Sequence, residues 1–146
     1  MIRIHMGSGP SLSYPVGQSP STAKNFAMRA ANHFNKIDEY VGRSVNIIAR
    51  GSSGIILATY FSEYINNTSF IDVVRKPGEM AHNTSVILSG DVKVFIDDFI
   101  ATGATIVESL NRVKDKYPQF DVVIVQSFGD KIERLDIPQP SYLITE

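Results

Sequence analysis

At 146 residues the chain is close to the size of one domain, which argues against separate cofactor and substrate lobes. Hydrophobic residues at 43% and charged residues at 20% suffice for a core and exclude disorder or collagen-like repetition. Fourteen Lys and Arg against fifteen Asp and Glu leave a formal charge of −1, too weak a positive field to hold nucleic acid, and the absence of cysteine excludes disulfides, thiolate nucleophiles and Cys-ligated metal sites.

After a short opening strand, residues 7–20 concentrate Gly7, Gly9, Pro10, Pro15, Gly17 and Pro20 among serines, the composition of an irregular arm. From Ser21, a plausible cap, Ala23, Phe26, Ala27, Ala30, Phe34, Ile37 and Val41 recur every three or four residues, which predicts an amphipathic helix. Val45 to Ala49 is short, apolar and partly β-branched, so it reads as a strand; the loop Arg50-Gly51-Ser52-Ser53-Gly54 follows, then a helix from Ile55 to about Ile65. Phe70 to Val74 is a further strand, and the polar stretch from Arg75 to about Asn83, with Pro77 and Gly78, reads as a long loop. Val92 to Ile96 is a strand closed by Asp97-Asp98, and Ile106, Leu110 and Val113 mark a helix after it. Val122 to Gln126 supplies the fourth main strand and Tyr142 to Thr145 a fifth. The apolar runs are too short to span a membrane, and the N-terminus lacks the pattern of a secretory leader. The expectation is a cytoplasmic protein with no membrane and no nucleic acid as partner.

Strands that alternate with helices and lack polar alternation predict a single-domain α/β fold, a mostly parallel sheet flanked by helices. Ligands of such sheets bind beyond the carboxyl ends of the strands. The segments 50–54, 75–83 and 97–105 all fall at that edge, so one site assembled from three loops is expected.

In Val94 to Thr105 a buried strand delivers two carboxylates and then turns through small residues toward a helix. Gly103 permits close backbone approach, a helix N-terminus presents unpaired N–H groups, and the Thr102 and Thr105 hydroxyls add donors, which together suit a phosphate. Asp97 and Asp98 cannot grip the same phosphate. They are suited instead to accepting hydrogen bonds from sugar hydroxyls, or to holding a divalent cation through water.

Apolar strand, two acids, four mostly small or apolar residues, Gly, any residue, Thr: this segment resembles the signature of the type I phosphoribosyltransferases. The resemblance implies that Asp97 and Asp98 hold the ribose hydroxyls of phosphoribosyl pyrophosphate, and that Ala101, Thr102, Gly103, Ala104 and Thr105 cradle its 5-phosphate. Arg50, Gly51, Ser52, Ser53 and Gly54 resemble the family's pyrophosphate loop. Val74-Arg75-Lys76-Pro77-Gly78 resembles the opening of its mobile loop, particularly in adenine-type members, and gives Arg75 and Lys76 a part in catalysis. The match extends over about residues 45–126. Phe128 follows the strand where purine-type members place an aromatic against the base. By the same resemblance Mg2+ arrives with the substrate, touched through Asp97 or Asp98, and a homodimer is an expected assembly. The expected domain is 1–146, with residues 1–20 and 127–146 the only chain left for a small or reduced hood over the base.

Other nucleotide-binding patterns fail. A P-loop needs Gly-x-x-x-x-Gly-Lys, yet Gly54 is followed by Ile55; the spacing of Gly51 and Gly54 does not supply a dinucleotide fingerprint. An aspartyl phosphatase of the dehalogenase type needs an acid where Phe99 stands. His5, His33 and His82 have no ligand spacing, so a protein-built metal site is not expected.

The leading expectation is transfer of ribose 5-phosphate to a nitrogenous base, a purine by the Arg75-to-Gly78 resemblance. The competing expectation is a non-catalytic regulator that binds phosphoribosyl pyrophosphate or a nucleotide, favoured by the shortage of chain for a hood. A lid would exclude water from an oxocarbenium-like centre. Amides from Glu79 to Thr84 should therefore exchange hydrogen fast in the free protein and slow markedly with phosphoribosyl pyrophosphate and magnesium. Protection already high without ligand would remove the lid from the mechanism.

Overall fold

A computed structural model describes residues 2–6, 20–74, 92–100, 120–128 and 141–145. The elements are β1 (Ile2–Met6), α1 (Pro20–Asn35), a 3-10 turn (Asp38–Tyr40), β2 (Val45–Arg50), α2 (Gly51–Tyr64), β3 (Ser69–Val74), β4 (Val92–Ile100), β5 (Val122–Phe128) and β6 (Ser141–Thr145). They form one α/β domain around a six-stranded sheet in the order β3-β2-β4-β5-β1-β6, every pairing parallel. Both terminal strands join this sheet through β1, which lies between β5 and β6. Among the described residues no helix is long and apolar enough to cross a membrane.

The steps from β1 to β2 and from β2 to β3 run in the same direction across the sheet. Right-handed crossovers then place α1 and α2 on the same face. On that face Val45, Ile47, Ala49, Val94, Ile96, Val122 and Ile124 pack with Phe26, Phe34, Leu57 and Phe61 into one core. The opposite face is buried as well: Ile48, Phe95, Val123 and Val125 are fully covered, and Phe95 stacks on Phe120 at 5.1 Å between ring centroids. Burial on both faces is why these strands read as continuous apolar runs.

Helix α1 differs from the sequence expectation at both ends. It begins at Pro20, whose fixed φ and missing N–H suit a first helical position, so Ser21 lies within the first turn and is not the cap. It stops at Asn35 and does not continue to Val41. Lys36 and Ile37 donate to the carbonyls of His33 and Phe34, tightening the chain toward the 3-10 turn. Three-residue spacing keeps Phe34, Ile37 and Tyr40 in line, so Tyr40 enters the core and Val41 is left 70% exposed. The Asn35 side chain ties this corner to α2, donating to the Tyr64 carbonyl and accepting from the Asn66 amide, both at 2.9 Å.

The amino-terminal edge of the sheet is closed by polar bonds. Asp121 accepts the Lys93 amide on its carboxylate at 2.8 Å, donates its own amide to the Lys93 carbonyl and accepts the Arg3 amide on its carbonyl, so one residue ties β1, β4 and β5. Arg3 also donates to the Tyr40 hydroxyl at 2.6 Å and pairs with Glu39. The Glu39 carboxylate is over half exposed, so that ion pair adds little. The Tyr40 ring stacks on Phe34 at 5.2 Å and lies under the guanidinium groups of Arg3 and Arg43.

Burial pushes the Tyr40 hydroxyl above its ordinary value of 10.0, with Arg3 opposing the shift. A phenol that holds its proton more tightly when folded contributes stability that is complete below the unfolded value and is lost as pH rises through the folded one. Urea midpoints of the wild type should therefore fall more steeply above about pH 10 than those of Tyr40→Phe, which keeps the ring but has no proton to lose. Parallel pH profiles for the two proteins would show that the phenol is not perturbed.

Candidate active site

The location of the site follows from topology. Strand β2 leads leftward to β3 while its neighbour β4 leads rightward to β5, so the strand order reverses between β2 and β4. A parallel sheet opens a crevice at the carboxyl ends of such a pair, because the outgoing connections diverge. The residues at that crevice are Arg50 and Gly51 on one side and Asp97 on the other.

On the β2 side the expected loop is absent. The strand runs through Arg50, the chain reverses at the single residue Gly51 with φ 64°, and α2 starts there, four residues before the expected Ile55. A residue with a Cβ pays a steric penalty at that φ, which is why glycine serves. Ser52 and Ser53 therefore belong to the first turn of a helix, Ser52 exposed and Ser53 half-buried, with Gly51 and Gly54 buried beneath. This turn brings the unpaired N–H groups of the α2 N-terminus to the sheet edge.

Strand β4 does not end at Ile96. It pairs with β2 only from Val92 to Ile96, but continues along β5, with Asp97 opposite Val125 and Ile100 opposite Phe128. Asp97 is thus not an exposed strand-end acid; it is 4% exposed. Continuing the β2 register by one step sets Arg50, 5% exposed, beside Asp97 on the face away from α1 and α2. Asn46, 3% exposed, stands on β2 four residues before Arg50 and on the same face. Motif spacing does not single it out, although an amide inside an otherwise apolar strand is the available signal.

Of the residues expected at the site, the structure therefore brings Arg50, Gly51, Ser52, Ser53, Gly54 and Asp97 together at the carboxyl ends of β2 and β4. Asp98 and Phe128 are described by their backbone alone, the former next to Asp97 and the latter at the end of β5. Arg75, Lys76, Ala101, Thr102, Gly103, Ala104 and Thr105 lie outside the described residues, as do His82, residues 79–84 and the helix expected from Ile106. Strand β3 ends at Val74, level with Arg50. Among the described residues no three acids or histidines cluster to hold a metal.

No family model and no curated protein sequence matches the chain. Its structure is similar to solved phosphoribosyltransferases. A hypoxanthine-guanine phosphoribosyltransferase from Bacillus anthracis aligns with a TM-score of 0.61 at 16% identity, over 87% of this chain and 78% of that one. A hypoxanthine-guanine-xanthine phosphoribosyltransferase aligns at 0.54 and 14% identity, over 86% of this chain and 76% of the other. A hypoxanthine phosphoribosyltransferase from Staphylococcus aureus aligns at 0.54 and 12%, over 86% and 73%. The fold is that of the type I phosphoribosyltransferases, as the sequence motifs imply.

Gly51→Ala should lower the free energy of unfolding by about 1–2 kcal/mol, the cost of a Cβ in the left-handed region, measured by urea titration. No loss would mean that the reversal between β2 and α2 does not depend on this φ.

Proposed function

We propose that the chain is a phosphoribosyltransferase that moves ribose 5-phosphate from phosphoribosyl pyrophosphate to a purine base and releases pyrophosphate. The observation that carries this reading is the strand-order reversal between β2 and β4, where a glycine turn opens a helix N-terminus and a buried carboxylate follows β4's last pairing with β2. Asp97 and Asp98 accept hydrogen bonds from the two ribose hydroxyls. The amides of Gly51 to Gly54 face the pyrophosphate, and Ala101 to Thr105 hold the 5-phosphate. Phe128, at the end of β5, offers an aromatic face to the base. The purine assignment draws support from the Arg75-Lys76-Pro77-Gly78 resemblance and from neighbours whose names specify hypoxanthine, guanine and xanthine.

In the reaction a base nitrogen forms a bond to the anomeric carbon as the bond from that carbon to pyrophosphate breaks. Positive charge develops on the sugar and negative charge on the departing oxygen, so the protein acts by alignment and electrostatic stabilisation. Arg75, Lys76 and the α2 amides supply the stabilisation on the leaving side. Asp97 and Asp98 would hold a magnesium ion through water, as suits a cation that dehydrates reluctantly and keeps substrate oxygens. When bound, that ion would neutralise charge on the pyrophosphate.

Hypoxanthine, guanine, xanthine, adenine and a pyrimidine, each incubated with phosphoribosyl pyrophosphate and magnesium, should release pyrophosphate with one or more purines only. Tight binding of phosphoribosyl pyrophosphate without release for any base would favour a regulatory binding protein instead. Joint replacement of Asp97 and Asp98 by Asn should weaken phosphoribosyl pyrophosphate in a calorimetric titration; unchanged affinity in the folded variant would remove the pair from the site. Because Asp97 is buried, this variant is expected to lose stability as well.

A further inference from the structure

We propose that Gly54 is a positioning residue: it allows the first turn of α2 to seat against the backbone of β2 and β4, and thereby sets the distance between the pyrophosphate-facing amides and Asp97. The role rests on the phosphoribosyl reading above. The contact that produces it does not.

Glycine stands at 51 and 54 for different physical reasons. Gly51 is needed for its positive φ, whereas Gly54 does not have one. A helix-interior glycine is disfavoured relative to alanine, so conformation alone would select against it at 54. Space explains it. A Cβ built there would stand 3.0 Å from the Ile96 carbonyl oxygen, 3.2 Å from the Ala49 carbonyl carbon and 3.5 Å from its Cα. The first two approaches are tighter than ordinary contact, and both are to backbone atoms of the paired strands β2 and β4, which cannot rotate away as a side chain would. The start of α2 and the strands beneath it would have to part by a few tenths of an ångström.

The Ile96 carbonyl belongs to the same planar peptide as the Asp97 amide. Whatever lifts α2 off Ile96, or tilts that peptide, alters the separation between the helix start and the carboxylate immediately after it. Phosphoribosyl pyrophosphate spans both, with its ribose at Asp97 and its pyrophosphate at residues 51–54. Ribose 5-phosphate reaches only the β4 side. The spacing is therefore a property felt by the double-ended ligand.

The test compares Gly54→Ala with Ala58→Gly, a variant of a buried residue one turn further along α2 that loosens the helix without adding an atom at the seam. Gly54→Ala should weaken phosphoribosyl pyrophosphate by about tenfold, the scale expected for a displacement of a few tenths of an ångström, and leave ribose 5-phosphate unchanged. Ala58→Gly should lower the melting temperature and leave the ratio of the two affinities as in the wild type. Equal weakening of both ligands by Gly54→Ala, or no weakening, overturns the inference. A wild type that binds neither ligand overturns the phosphoribosyl reading instead, and the seam is then read in the free protein. The Ile96 carbonyl carbon resonance should shift in Gly54→Ala and stay in place in Ala58→Gly; an unmoved resonance overturns the inference with or without ligand. If Gly54→Ala does not fold, pyrophosphate with magnesium should shift that resonance in the wild type, and an unmoved resonance at saturation counts against the proposal.

Discussion

Strands β2 and β4 lie side by side from the Val45–Val92 pair to the Ala49–Ile96 pair, and their seam is the constraint on which the candidate site depends. Their successors leave in opposite directions, which opens the carboxyl end of the seam. Helix α2 closes onto it from one face at Gly54, while Arg50 and Asp97 occupy the other face at its mouth. A parallel sheet fixes this arrangement by backbone hydrogen bonds, so the helix start and the carboxylate stand on a rigid platform rather than on free loops.

The two edges of the sheet divide the work. At the amino-terminal edge the polar groups satisfy one another: Asp121 ties three strands, Asn67 donates to the carbonyls of Tyr40 and Arg43 at 2.7 Å each, and Arg3 caps the Tyr40 ring. These bonds anchor the ends of strands whose hydrophobic faces alone would not prevent sliding. At the carboxyl edge the described residues place a helix N-terminus at Gly51 and two buried charged residues, Arg50 and Asp97.

Periodicity in α1, the β-branched runs and the acid pair are legible in the sequence, because each is a local pattern. The departures are equally local in origin. The pattern of α1 runs on through Ile37 because three-residue spacing satisfies an α-helix and a 3-10 turn alike, and only packing chose Tyr40 over Val41 for the core. Serine and glycine suggest a loop at 50–54, but β2 runs through Arg50 and α2 begins at Gly51, because one positive φ at Gly51 accomplishes the whole reversal. Acidic residues suggest a strand end, yet β4 continues because β5 supplies partners as far as Phe128.

By itself the sequence determined the class of fold and nominated three segments at one sheet edge as the candidate site. Hydrophobic period, glycine placement and the order of motifs are properties of short stretches of chain, and they survive without knowledge of neighbours. Tertiary structure alone decided the strand order, and with it the reversal between β2 and β4 that locates the crevice. It also decided that Asp97 and Arg50 are buried at one level, and that the glycine at 54 answers to the carbonyl of Ile96. Those facts join residues more than forty positions apart, and their separation is set by sheet register, which no local pattern encodes.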